Sequence, residues 1–374
     1  MSRRNTRLLT AGIALALVVV ACGGDAEETT TAAPAATTTG ATETTAAAAP
    51  ETTSGGTETT TAADVPTELR MAMIAVDVVD DPWYGTMLDS MERAKQASPY
   101  GLEVTYEWFE NIDYADGERV IRDLAVSGKY DLIVGHSTYG DAVAAVKDEF
   151  PEIAFVFSGS GNEPTGGNGF WIDAFGHEPA YLAGVAAGLM TETDRVGVVA
   201  NFPFPNVNAP VNAFIDGARS VNPDVQASAT FIESWWDPVT AKESALAQIS
   251  AGADVIYGIV FGVVEAAGEA GVYAVGDYDD QQYLDPDVVI TSNMALWDPA
   301  LNAVIDGWWN QHANGVPMDA PTERLLFFMP DGGSDIAPLN EALVPADVQS
   351  VVMDLRQQIL DGELTIDLNE APPE

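Results

Sequence analysis

From about residue 69 onward, short apolar runs alternate with longer stretches whose apolar residues recur every three or four positions. This alternation constrains the fold more than any other feature. A short apolar run bounded by turn residues reads as a buried strand, and a 3.6-residue period reads as a helix with one apolar stripe. Strands are predicted over 70–79, 103–109, 131–136, 153–158, 195–201, 226–233, 254–260, 272–276 and 288–292. Helices are predicted between them over 84–97, 116–126, 141–149, 178–190, 209–221, 238–251 and 263–270. A helix over 299–314, a strand over 324–329 and a helix over 345–360 follow, and then an acidic tail. Successive strands joined by helices pair in parallel, so the class is α/β with helices covering the sheets. The strands fall into two groups, 69–158 and 195–276, separated by a glycine-rich stretch at 159–169 (GSGNEPTGGNG). Two α/β lobes with a central ligand cleft are therefore expected. Ligands bind such sheets beyond the carboxyl ends of the strands.

The amino terminus reads as an address. Arg3, Arg4 and Arg7 precede an uncharged apolar run at 8–21 (LLTAGIALALVVVA), the pattern of a secretory signal. Fourteen helical residues rise only about 21 Å, short of a hydrocarbon core of about 30 Å. The run ends in Val19-Val20-Ala21-Cys22-Gly23, which resembles a bacterial lipobox. That resemblance implies cleavage before Cys22, lipidation of its thiol and a protein anchored to the outer face of the cell membrane. Residues 25–64 are Thr, Ala, Pro and Gly with scattered Glu and no aromatic residue. They cannot bury enough apolar surface to offset chain entropy. A flexible tether of that length reaches roughly 35 Å.

Acidic residues number 57 against 15 basic ones, a formal net charge of −42, and loss of the three leader arginines leaves −42 − 3 = −45. Such a field repels phosphate backbones, so no nucleic-acid partner is expected. With Cys22 alone, no internal disulfide is possible, and His136, His177 and His312 show no metal-ligand spacing. No nucleophile elbow, phosphate loop or dinucleotide fingerprint is present. The adjacent acids Asp279 and Asp280 read as solvated. Neither an enzyme nor a cofactor is expected.

The aromatic residues are placed unusually. Trp83 and Tyr84 follow the first predicted strand in Asp80-Asp81-Pro82-Trp83-Tyr84. Tyr139 follows the strand ending at His136, and Trp235 and Trp236 follow the one ending at Glu233. Aromatic side chains at strand-to-helix junctions suit a flat ligand, since each stacked base is worth about 1–3 kcal/mol.

The segments 178–191 (EPAYLAGVAAGLMT), 195–200 (RVGVVA), 201–205 (NFPFP), 212–219 (NAFIDGAR), 252–256 (GADVI) and 279–281 (DDQ) occur in an order and spacing that resembles the basic membrane protein family of substrate-binding lipoproteins. Weaker matches at 80–84 and 150–155 extend the resemblance over 69–297. The NFPFP and SWWDP pieces are most similar to a branch that binds purines.

The resemblance implies a type I periplasmic binding protein with two Rossmann-like lobes, a hinge of three crossings and an ABC permease as partner. It implies a monomer that captures a purine base or nucleoside by lobe closure. Expected boundaries are 66–172 plus about 294–325 for lobe I, 173–293 plus about 326–365 for lobe II, and 366–374 for the tail. By motif, Trp83 would stack on the base, Tyr84 takes a place that is often Asn, and Ser137 and Tyr139 match a loop facing the cleft. Asn212 would read a purine edge, Trp235 would form the second wall and Phe175 an opposing face. The family's Gly-Val-Asp-x-Asp-Gln is here Gly276-Asp277-Tyr278-Asp279-Asp280-Gln281, so Asp277 or Asp280 would take the ribose hydroxyls. The loop Gly258-Ile-Val-Phe-Gly262 is more apolar than in the family, which keeps a free base or another small ligand such as a sugar open. A ligand-sensing lipoprotein is the other alternative.

Overall fold

The computed structural model describes residues 65–373. The expected signal segment, Cys22 and the tether lie outside the described residues.

The first sheet is built by β1 (Glu68–Ile74), β2 (Glu103–Phe109), β3 (Leu132–Gly135), β4 (Ala154–Ser158) and β5 (Gly169–Asp173). They are linked by α1 (Pro82–Ala97), α2 (Tyr114–Val126) and α3 (Gly140–Val146). After α4 (His177–Met190) the pattern repeats with β6 (Arg195–Ala200), α5 (Pro205–Val221), β7 (Gln226–Phe231), α6 (Pro238–Ser250) and β8 (Val255–Gly258). It continues with α7 (Val263–Ala270), β9 (Tyr273–Gly276) and β10 (Val289–Ala295). The chain ends with α8 (Asp298–Asn314), β11 (Leu325–Leu326), β12 (Ser334–Ile336) and α9 (Ala346–Leu360).

The strand orders are β11-β5-β4-β3-β1-β2 and β12-β10-β9-β8-β6-β7. All pairings are parallel except β10 with β12. Each sheet thus reverses its strand order beside its first strand, β1 or β6, which is where such sheets leave a crevice. The expected α/β class is what is seen. The chain passes between the sheets after β5, between β10 and α8, and between β11 and β12.

Besides strands that end early, such as β1 at Ile74 and not 79 and β11 with two residues in place of 324–329, three elements differ from expectation. β5 emerges directly from the glycine-rich stretch, which hid it as a crossover. β12 is three residues long and antiparallel, too short to show a period. α5 starts at Pro205 and not at 209, because proline suits a first helical turn. Pro210 lies inside the same helix and removes one backbone donor without ending it.

α4 and α5 cross at backbone contact. A Cβ on Gly184 would lie 2.0 Å from the Phe214 carbonyl oxygen, and one on Gly217 would lie 2.1 Å from that of Tyr181. Only glycine permits this approach. It buries α4 in the core of the second sheet, together with Val198, Phe214 and Tyr257.

Candidate functional site

The loops at the carboxyl ends of both sheets enclose about 660 Å³ of empty space, mouth included. Every lining segment follows a strand: 81–84 after β1, 137–138 after β3, 158–160 at the end of β4, then 201 and 206, 235, 258–261 and 277–281 from the second sheet.

On the first wall, Asp81 caps α1 by accepting from the Trp83 amide at 2.9 Å, and Pro82 fills the first helical position. This cap fixes the Trp83 backbone. The indole lies parallel to His136 (centroids 5.2 Å apart, 10° between planes) and meets Trp297 edge-on at 4.9 Å. His136 is fully buried, and burial lowers its pKa to about 3, so the ring is neutral. A carbonyl can only accept, so His136 Nε2–H donates to the Trp83 carbonyl (2.8 Å) and Ser158 Oγ donates to Nδ1 (2.9 Å). Tyr84 is buried beside them with its ring edge-on to His136 at 5.6 Å. Ser137 lines the cavity and shares a hydrogen bond of 2.7 Å with the Tyr114 hydroxyl.

On the second wall, Trp235 lies parallel to Phe204 (5.5 Å, 9°) and tilted against Phe202 (4.8 Å). Asp277 is buried, and its Oδ1 accepts from the Tyr257 hydroxyl and from Asn293 Nδ2 (2.7 Å). Burial raises the Asp277 pKa to about 8 and that of Asp81 to about 7. Tyr278 spans the gap, its ring edge-on to Trp83 at 5.3 Å. No lysine or arginine is among the lining residues. Near neutral pH Asp277 is then mostly protonated and Asp81 about half protonated, which holds down the negative charge of the cavity. The cavity suits a neutral, flat ligand with hydrogen-bonding edges and disfavours phosphates.

Of the side chains singled out from the sequence, Trp83, Tyr84, Ser137, Trp235 and Asp277 line the cavity. Four do not. The Tyr139 ring is buried, and its hydroxyl donates to the Ile112 carbonyl. Phe175 is buried, with the Arg324 guanidinium 4.9 Å from its ring centroid. Asn212 Nδ2 donates to the carbonyls of Asn369 and Ala371 at 2.9 and 2.8 Å, so it holds the carboxyl-terminal segment. Asp280 caps the turn Gln281–Tyr283 by accepting from the Gln282 amide at 3.2 Å.

The sequence reading missed Asp81, Ser160, Asn206 and Tyr278 among the lining residues. Each follows a strand end, and that position was the available signal. Among the described residues, no group of three His, Cys, Asp or Glu is placed to hold a metal ion, and no helix is long and apolar enough to cross a membrane.

The fold is shared with a solute-binding protein of an ABC transporter system from Conexibacter woesei (TM-score 0.64, 23% identity, 81% of this chain and 99% of that chain). A Bacillus halodurans protein described as a transcriptional activator of the comK gene is similarly alike (TM-score 0.65, 22% identity, 80% and 100%). At these identities the likeness establishes the fold alone. Among sequences, the chain is 30% identical over 296 residues to TsgA13 of Haloferax volcanii, which bears the name of an ABC transporter glucose-binding protein (74% of this chain, 68% of the relative). It is 28% identical over 279 residues to a purine-binding protein of Brucella abortus (73% and 75%). The family model described as "ABC transporter substrate-binding protein PnrA-like" matches residues 69–316. The chain therefore belongs to the Bmp family of ABC transporter substrate-binding proteins.

Proposed function

We propose that this substrate-binding protein captures a purine base or nucleoside and delivers it to an ABC permease from a lipid anchor at Cys22. The observation that carries the reading is one cavity, without lysine or arginine in its lining, that takes Trp83 from the first sheet and Trp235 from the second. Two stacked faces at about 1–3 kcal/mol each, with a few oriented hydrogen bonds, account for micromolar affinity, about −8 kcal/mol. The Asp277 carboxyl is the group offered to ribose hydroxyls. A ligand that touches both walls stabilises the closed arrangement, because only that arrangement makes both sets of contacts. The reading keeps lobes of 66–172 plus about 294–325, carrying Trp83, and 173–293 plus about 326–365, carrying Trp235.

A sugar is the second reading. The name of the Haloferax relative supports it, and aromatic faces also pack against pyranose rings. Calorimetric titration with guanosine, adenosine, hypoxanthine and D-glucose separates the two. The expected result is micromolar or tighter binding of at least one purine, at least 100-fold tighter than glucose. The reverse order would replace the purine reading with the sugar. The anchor is tested by Cys22→Ala, which is expected to release the protein from the membrane fraction.

A further inference from the structure

Asn206 is the second residue of α5, where the helix start meets the cavity. Its backbone amide reaches the first lobe, donating to Ser160 Oγ at 3.2 Å. The residue is 8% exposed, and its buried Oδ1 has no hydrogen-bond partner among the described residues, as is also true of Asn208 Oδ1, Asn293 Oδ1 and Ser334 Oγ, none of which lines the cavity. A buried carbonyl oxygen is ordinarily satisfied, so this one calls for a donor. The other polar groups of the cavity differ. Asp81 accepts from the Trp83 amide, Asp277 accepts two hydrogen bonds, and Gln281 Nε2 donates to the Asp277 carbonyl at 2.9 Å. Farther along α5, Asn208 and Asn212 donate to carbonyls of the carboxyl-terminal segment, and neither lines the cavity.

Position matters as well as valence. Phe204, two residues earlier, backs the Trp235 ring. Asn206 therefore sits beside a stacking wall, at the perimeter of a stacked guest. Stacking accepts any base, because every base has a π face. An edge contact is what distinguishes one base from another, and a site built around a donor discriminates strongly against an analogue that lacks it. A carboxamide can accept from one edge group and donate to its neighbour.

We infer that Asn206 is the specificity-determining residue of the cleft, its Oδ1 accepting a hydrogen bond from a ring or exocyclic N–H of the bound base. This rests on the purine reading above. Asn206 also borders a small chamber behind the cleft, with Asn293 and Ser334, so a purely structural role would affect every ligand alike.

The test is calorimetry of wild type, Asn206→Ala and Asn206→Ser with guanosine, adenosine and purine riboside, whose base has no N–H. Asn206→Ser keeps a small polar group at the helix start should Ala disturb it. The expected result is at least a tenfold loss for guanosine or adenosine in both variants and less than a twofold change for purine riboside. Equal losses for all three probes, or no loss for any, would overturn the assignment of Asn206 while leaving the purine reading in place. Failure of wild type to bind any of the three, and hypoxanthine besides, would overturn the purine reading and this assignment with it.

Discussion

Trp83 and Trp235 line one cavity from opposite sheets, but they are held in unlike ways. Trp83 lies on buried His136, which Ser158 fixes, and its edge meets Trp297, which is 1% exposed. Trp235 leans on Phe202 and Phe204, both half-buried in the loop between β6 and α5. Both rings are half-buried and pack against the apolar core of their own sheet, so what differs is the partner behind each: a fully buried imidazole for Trp83 and two half-buried phenyl rings for Trp235. The difference teaches that the two sides of one cavity can be backed differently, by a buried hydrogen-bonded ring on one side and by loop rings on the other.

The sharpest way to break this comparison is Trp83→Ala. Affinity for a purine ligand is expected to fall about 100-fold, the upper end of a stacking contribution. Stability should fall by about 3 kcal/mol, since the indole supports the His136 and Trp297 packing. Calorimetry and urea unfolding measure the two effects.

Buried groups around the cavity should also titrate in opposite directions. The folded-state pKa of Asp277, about 8, lies above its ordinary 3.8. The folded protein therefore keeps a proton that the unfolded chain releases, and stability falls as pH rises between those values, by up to about 1.4 kcal/mol per unit. Asp81 and Asp173, each raised to about 7 by burial, act in the same sense. His136, lowered from 6.5 to about 3, costs stability as pH falls through that window. In urea unfolding from pH 4 to 9, Asp277→Asn is expected to flatten the alkaline limb and His136→Gln the acid limb. Identical profiles for wild type and both variants would remove the electrostatic contrast.

Trp235→Ala should be milder, with about a tenfold loss of affinity, roughly 1.4 kcal/mol, and stability within about 0.5 kcal/mol of wild type. A stability loss matching that of Trp83→Ala would erase the distinction between walls. The smallest effect on binding belongs to Asn212→Ala. Affinity should stay within twofold, while amides of residues 366–373 exchange faster in deuterium, because the two hydrogen bonds to Asn369 and Ala371 are lost.

Much of the fold was legible because parallel strands buried on both faces leave strong apolar runs, as in β3 and β8. The two tryptophan walls were legible for a related reason: large aromatic rings placed just past strand ends have no core stripe to join. The edge-facing groups were not. The helix expected over 209–221 begins at Pro205, and the family resemblance points to Asn212 whereas the cavity is lined by Asn206. Six residues at 100° each put those two asparagines about 120° apart around the helix, so they do not share one face. Tyr139 was misjudged similarly. It lies two residues past Ser137, but its ring turns inward, where its carbons would meet a Cβ on Gly117 at 2.7 Å.

The most direct measurement is a crystal structure of the protein with the purine that binds tightest. The account predicts one purine ring between the walls, within about 4 Å of both the Trp83 and Trp235 rings. A ligand bound elsewhere, or one touching a single tryptophan, would contradict it.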